Sequence, residues 1–312
     1  MNYTMYHLHS DYSLLDSCTN YKEYIDYAVS LRQKAIAFTE HGKPMGWVAK
    51  KKYCDEKGIK YIHGVECYLT EKLLWDNSEK IRDNYHTILI AKNFKGLLEI
   101  NELISRSTDK DHTYYHNRVS FDEFLQLSNN IITISACLAS PLNKLDVNNP
   151  MYEKLVKRYD YLEIQSHNCQ EQKDFNTHLA IMSNKYHKPL IVGTDTHSLN
   201  KYKAECRKIL LKYKDRSYGD EDKYDLTYQT YDELVNAFII QDTLPKNIYL
   251  QAIENTNVMA DSIEDFELDK SLKYPILYGT REKDKEMFHK TIEDKFKHKV
   301  ENNIIYPEQV EA

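Results

Sequence analysis

Over the first 200 residues, short apolar segments rich in β-branched and aromatic residues alternate with longer stretches of helical periodicity, and this alternation most limits what the chain can fold into. The short segments are Met5–His9, Ala35–Thr39, Tyr61–Cys67, Thr87–Ala91, Ile131–Ser135, Tyr161–Gln165 and Leu190–Thr194. Between them lie candidate helices such as Lys22–Arg32, with Tyr24, Ala28 and Leu31 on one stripe, and Met45–Lys57, which Gly58 ends. Strands separated by helices pack most readily as parallel β/α units, so seven in this order predict an α/β fold with a barrel-like sheet. The polar stretches Glu71–Tyr85 and Arg106–Arg118 predict loops over its mouth, and long loops in a compact domain are often functional. After Leu199 the strand rhythm stops, and charged helical patterns follow at Tyr231–Phe238, Lys246–Ile263 and Glu282–Asn303. We therefore place a domain boundary near residue 200. No internal repeat or low-complexity tract interrupts this plan.

Composition narrows the function classes. With 41% hydrophobic residues in 312, the chain can bury a sizeable core. No run approaches the roughly 18 apolar residues of a membrane span. The opening Met1-Asn2-Tyr3-Thr4 leads straight into an expected strand, leaving no room for a signal peptide, so the default compartment is the cytoplasm. The 6 cysteines form no C-x-x-C pair, which excludes a zinc ribbon or a thioredoxin-type motif and predicts reduced thiols. A net charge of −6 argues against nonspecific duplex binding by the whole surface, since phosphate binding needs clustered Lys and Arg; a local basic path remains compatible with it. The 26 tyrosines, accompanied by many Asn, Lys and Ile, read as codon usage of an AT-rich genome rather than as base-stacking chemistry.

The positions of the polar residues are more informative. His7 and His9 close the first expected strand, His41 follows the second, Glu66 ends the third, Cys137 follows the fifth, and Asp195 and His197 follow the seventh; His86 opens the fourth and is the exception. In a β/α barrel one set of strand ends converges on a single face, and that face would be a metal site. His7 and His9 stand at i and i+2, on one side of a strand, which suits joint coordination of an ion. Asp195 and His197 repeat the device. Glu66 lies inside an apolar strand, where a carboxylate needs a partner or a cation.

The segments HLHSDYSLLD (His7–Asp16), FTEHG (Phe38–Gly42), GVECY (Gly64–Tyr68), HTILIAKN (His86–Asn93), ISACLASPL (Ile134–Leu142), YLEIQSH (Tyr161–His167) and GTDTHSL (Gly193–Leu199) resemble, in order, the motifs of the polymerase and histidinol phosphatase (PHP) domain of bacterial DNA polymerase III alpha subunits. AIENTNVMADSIE (Ala252–Glu264) resembles the helix that follows the domain in the same polymerases. The resemblance implies a distorted seven-stranded (β/α) barrel over 1–200 and a smaller, mainly helical segment over 201–312. Carried over residue by residue, it implies nine metal ligands: His7, His9, Asp16, His41, Glu66, His86, Cys137, Asp195 and His197. His7, His9, Glu66 and Asp195 would surround a first ion and carry the chemistry; Glu66, His86 and Cys137 would hold a second, and Asp16, His41 and His197 a third. Two or three divalent transition-metal ions (zinc, manganese or iron) are the implied cofactors.

The implied activity is phosphoester hydrolysis, as a 3′-to-5′ DNA exonuclease or an end-trimming activity linked to replication. A small-molecule phosphatase of the histidinol phosphatase type shares the same fold and ligands, and a noncatalytic interaction module is a third reading. A polymerase palm, fingers and thumb need many hundreds of further residues, so polymerisation is not expected in this chain. The implied partners are a DNA 3′ end and a separate polymerase chain or replication protein. For the latter, the stripe Phe288, Ile292, Phe296 and Val300 is a candidate surface, unless it packs on the barrel. His63, His112, His116, His178, His187, His289 and His298 read as surface or packing residues, whereas His167 after the sixth strand is a candidate to touch a substrate phosphate or to orient a ligand.

Overall fold

Helix boundaries follow local sequence signals. In the computed structural model, which describes residues 1–73, 82–214, 224–272, 274–305 and 309, reciprocal capping boxes start α1 (Tyr21–Ser30) through Asn20 and Glu23, α4 (Phe121–Leu125) through Ser120 and Glu123, and α9 (Tyr231–Gln241) through Thr230 and Glu233. α2 (Trp47–Lys57) ends at Gly58, whose φ of 70° is the left-handed cap conformation that glycine adopts without penalty. The other helices are α3 (Phe94–Arg106), α5 (Pro141–Lys144), α6 (Pro150–Arg158), α7 (Gln170–Tyr186), α8 (Lys201–Tyr213), α10 (Lys246–Asp261) and α11 (Arg281–Glu301). None among the described residues is long and apolar enough to cross a membrane.

The strands are β1 (Ala35–Phe38), β2 (Lys60–Thr70), β3 (Tyr85–Ala91), β4 (Thr113–Tyr114), β5 (His116–Asn117), β6 (Val119–Ser120), β7 (Ile131–Ile134), β8 (Leu162–Ile164) and β9 (Leu190–Val192). A five-stranded sheet runs β1-β2-β3-β7, with β6 added to the end of β2; β4-β5 and β8-β9 form separate pairs. Two expectations change. The pairing is mixed: β1–β2, β2–β6 and β8–β9 are parallel, but β3 is antiparallel to both β2 and β7. And in place of a continuous seven-stranded ladder, single bridges join the pieces, at Met5–Ile36, Leu8–Thr196 and Ile134–Tyr161.

Met5–His9 forms isolated bridges rather than a ladder: Met5 O, His7 O, Leu8 O and His9 N keep backbone partners, but a side chain takes Tyr6 O and Leu8 N. Leu8 N donates to Thr39 Oγ1 at 3.1 Å, and the same hydroxyl donates to Tyr6 O at 3.1 Å. Of the expected mouth loops, 74–81 lie outside the described residues, and 106–118 holds the tight β4–β5 hairpin.

The contacts divide the chain into Met1–Phe266 and Glu267–Ala312. The change of rhythm near residue 200 thus falls inside the first unit, and α10 shows why. It packs along β9 and buries Tyr249, Ala252, Ile253, Met259 and Ala260, while Thr256 Oγ1 accepts from Thr4 N at 3.0 Å. In the second unit Phe288, Ile292, Phe296 and Val300 are all exposed on α11, which buries none of its residues.

Gly96 tests the packing of α3 on the sheet. In a helix, Gly→Ala ordinarily gains up to about 1 kcal/mol. Here an added Cβ would stand 2.1 Å from the carbonyl oxygen of Asn130, backbone that leads into β7. Gly96→Ala is expected to cost about 1–3 kcal/mol, read as a lower Tm in thermal unfolding; an unchanged or raised Tm contradicts the packing.

Candidate metal centre

Two i, i+2 pairs are pinned side by side by backbone hydrogen bonds. Thr196 N donates to His7 O at 3.0 Å and His9 N to Thr196 O at 2.8 Å, which sets Asp195 and His197 against His7 and His9. Asp195 Oδ1 then lies 3.1 Å from His7 Nε2 and 3.4 Å from His9 Nε2. β2 brings Glu66, whose Oε2 is 3.2 Å from His9 Nε2 and 2.8 Å from His41 Nδ1. Antiparallel β3 explains why His86 opens its strand: the start of β3 lies beside the end of β2, in a register that pairs Tyr68 with His86 and Glu66 with Ile88. His86 Nδ1 therefore meets Glu66 Oε1, and Cys137 Sγ lies 3.8 Å from the same ring nitrogen. Asp16 Oδ2 closes the group at 2.7 Å from His41 Nε2 and 3.1 Å from His197 Nε2.

All nine residues singled out in the sequence thus meet in one place. Among the described residues three sets have donor atoms within 4.8 Å of one another: His7, His9 and Asp195; His9, His41 and His197; and Glu66, His86 and Cys137. The backbone around them is held in unusual conformations. Leu15 before Asp16, Ala136 before Cys137, and Asp195 itself have φ of 68°, 60° and 45°, a region that non-glycine residues occupy rarely.

A further layer escaped the sequence reading. Glu163 on β8 is fully buried; its Oε1 lies 2.8 Å from His7 Nδ1, and its Oε2 accepts from Tyr6 Oη at 2.8 Å. An acidic residue in an apolar strand is the signal that marked Glu66, and it was present here too. Gly193 makes room for it, since a Cβ there would lie 2.2 Å from the Glu163 carboxyl. Glu40, next to His41, accepts from buried Lys50, Ser10 and Ser13, and Ser13 Oγ lies 3.0 Å from His9 Nδ1. Arg207 on α8 binds Asp16 through its Nη2, and its Nε donates to Asp16 O at 2.6 Å; no pattern in the charged stretch after residue 200 pointed to it.

The electrostatics suit a cation. Burial disfavours charge on His7, but Glu163 and Asp195 outweigh it and raise its pKa well above the usual histidine value. His41 is raised in the same way against burial by Glu66 and Asp16, and His197 by Asp16 and Asp195. His9 is pushed down to about 3 by burial, with His41 and His197 adding to the effect. Despite burial, the neighbouring imidazoles hold Asp16, Glu66 and Asp195 below the normal carboxylate range. Burial, with Asp195 and Glu66 nearby, pushes the Cys137 thiol well up, so only a cation would make it a thiolate. His7 Nε2 and His9 Nε2 are buried without a hydrogen bond, the acceptor carboxylates nearby being poorly aligned. Orphaned imidazole nitrogens, three ionised carboxylates and one thiol form a donor set that fits transition-metal ions.

The site opens into a cavity of about 850 Å³ whose walls include His41, Glu66, His86, Cys137, Asp195 and His197. His167 also lines it, buried against Tyr224 at 4.8 Å between ring centroids, and burial lowers its pKa to about 4. His63 is a packing residue, buried between Tyr61 and Asn101, and His112 pairs with Glu123 at 3.2 Å. His116, read from sequence as a surface or packing residue, proves to line the cavity, edge-on to Tyr68 at 5.2 Å.

The chain is 29% identical over 279 residues to DNA polymerase III subunit alpha of Borreliella burgdorferi, covering 84% of this chain and 24% of that protein. To the same subunit of Treponema pallidum it is 31% identical over 223 residues, covering 68% of this chain and 19% of the relative. The chain thus spans about a quarter or less of the curated relatives it matches. Among solved structures, Endonuclease Q in complex with a duplex substrate aligns over 88% of this chain and 75% of its own, at 13% identity and a TM-score of 0.39. The PHP domain family matches residues 5–167, and the chain belongs to that family.

Proposed function

We propose that this protein is a metal-dependent phosphoesterase acting on DNA, and that it removes nucleotides from a 3′ end during replication in the cytoplasm. The observation that carries this reading is the convergence of nine potential ligands, drawn from residues 7 to 197: seven of them line one cavity, and His7 and His9, with orphaned imidazole nitrogens, are buried against Asp195 and Glu66 behind it. The likeness to replicative alpha subunits favours DNA over a small phosphoester.

His7, His9, Glu66 and Asp195 would hold a first ion, Glu66, His86 and Cys137 a second, and Asp16, His41 and His197 a third. Bound there, about two or three ions of zinc, manganese or iron supply Lewis acidity, which lowers the pKa of water and stabilises charge on phosphoryl oxygens. The chain's own groups do the rest. Glu163 and Ser13 fix the ring orientations of His7 and His9 from behind. Arg207 holds Asp16 Oδ1, which leaves Oδ2 aimed at His41 and His197. His167, neutral at neutral pH, offers the substrate a hydrogen bond rather than a charge. The exposed stripe on α11 is the surface we assign to a separate polymerase chain or replication protein.

Proton competition gives one test. His7, His41 and His197 have folded-state pKa values above the unfolded value of about 6.5, so in the metal-free protein their ion pairs stabilise fully below that pH and weaken as pH rises through the folded values. Asp16, Glu66 and Asp195 are depressed below about 4, so their contribution is present above it and lost as pH falls through the folded values. Metal needs neutral imidazoles. Zinc or manganese added after chelation should therefore raise Tm more at about pH 7.5 than at about pH 5.5; an equal rise at both contradicts the assignment.

Activity gives the second test. With manganese or zinc, the protein should shorten a 5′-labelled single-stranded oligonucleotide stepwise from its 3′ end, and Asp195→Asn should reduce the rate to background. Rapid phosphate release from histidinol phosphate with the oligonucleotide untouched would replace this reading with a small-molecule phosphatase. No hydrolysis of either by metal-loaded protein would leave a noncatalytic module.

A further inference from the structure

The wall of the cavity includes the tip of the β4–β5 hairpin, where Tyr115, His116 and Asn117 all line the space into which the metal donors open. Tyr115 occupies the turn with φ of 60°, a left-handed conformation that a bulky side chain seldom adopts. A turn residue free to vary would be glycine or asparagine; a strained aromatic residue beside a cavity suggests a use for the ring. The hairpin is tied to the loop carrying His41: Asn117 Nδ2 donates to Gly42 O at 2.7 Å and to Ser107 Oγ at 3.0 Å. Gly42 is required for this docking, because a Cβ would stand 2.7 Å from Asn117 Oδ1.

The ring is braced and still open. Arg82 lies with its guanidinium carbon 4.7 Å from the Tyr115 centroid, and its Nη2 donates to Tyr115 Oη at 3.1 Å. Tyr114 packs edge-on at 4.7 Å. Tyr115 nonetheless remains 71% exposed. Other tyrosines are as exposed, among them Tyr202 at 74% and Tyr213 at 82%, but these sit on α8 with ordinary helical backbone and line no part of the cavity. Composition gave no reason to separate one tyrosine from 26; exposure, strain and place in the cavity wall do.

We propose that Tyr115, braced by Arg82, is a stacking platform for the base of the terminal nucleotide of a single-stranded nucleic acid, and so a specificity-determining residue of the site. A flat base gains from the ring whatever its sequence, the adjacent guanidinium suits the phosphate of the same strand, and a compact phosphoester without a ring gains nothing. The inference rests on the reading of the centre as a nuclease site, and the test keeps the two apart.

Protein as isolated is titrated, by fluorescence anisotropy, into two 5′-labelled oligothymidylates that differ only in whether the 3′-terminal nucleotide carries a base, both protected at that end by phosphorothioate linkages. The wild-type protein should bind the end with a base about tenfold more tightly, within the range of base–aromatic stacking. Tyr115→Ala should nearly abolish that preference and Tyr115→Trp retain it, with Tm unchanged in both. A wild-type protein that does not distinguish the two ends, or a Tyr115→Ala variant that still does, overturns the proposal. Unprotected oligonucleotide, given to the same protein with manganese or zinc added, tests the parent reading. Preference without shortening sinks the nuclease and leaves the stacking site; shortening without preference does the reverse.

Discussion

One buried carboxylate organises the site. Glu66 is 1% exposed on the longest strand of the sheet and touches His9, His41 and His86, which come from three different segments of chain. A carboxylate so deep is costly unless charge and hydrogen bonding compensate it, and here the compensation is the set of imidazoles around it. β2 can present Glu66 to all three because it pairs in parallel with β1, which leads into His41, and antiparallel with β3, which carries His86 at its start. A sheet with all neighbours parallel would have carried His86 to the opposite end.

The rest of the chain supports this arrangement from outside. Glu163, Ser13 and Glu40 fix the rings of His7 and His9, and Arg207 fixes Asp16. The last of these comes from the segment after residue 200, and α10 from the same segment covers the N-terminal stretch that carries His7 and His9. The region expected to be a separate helical domain is thus, as far as Phe266, part of what shapes the site. Mixed polar layers of this kind fix ligand orientation but stabilise only when every member is satisfied, which the orphaned nitrogens of His7 and His9 are not.

Much of the centre was legible in the sequence because ligand spacing is local. His7-Leu8-His9 and Asp195-Thr196-His197 each place two donors on one side of an extended segment, and an acid in an apolar run marks Glu66. What could not be read depends on long-range geometry. The antiparallel direction of β3 leaves no trace in its apolar residues, so His86 looked misplaced. The Thr39 hydroxyl that takes Leu8 N and Tyr6 O, and so interrupts the backbone pairing of Met5–His9, is a tertiary contact across 31 residues in the case of Leu8. Arg207 lies in a helix whose pattern is that of a solvated surface. Tyr115 was hidden among many tyrosines until the hairpin placed it on the cavity wall.

The central claim is that these nine side chains exist to hold metal. Anomalous-difference maps from crystals of protein purified without chelator, recorded on either side of the zinc, iron and manganese absorption edges, address it directly. The account predicts peaks among His7, His9, Glu66 and Asp195 and beside His86 and Cys137. Well-ordered crystals with no anomalous peak in this cavity, or with metal bound only elsewhere on the chain, would contradict it.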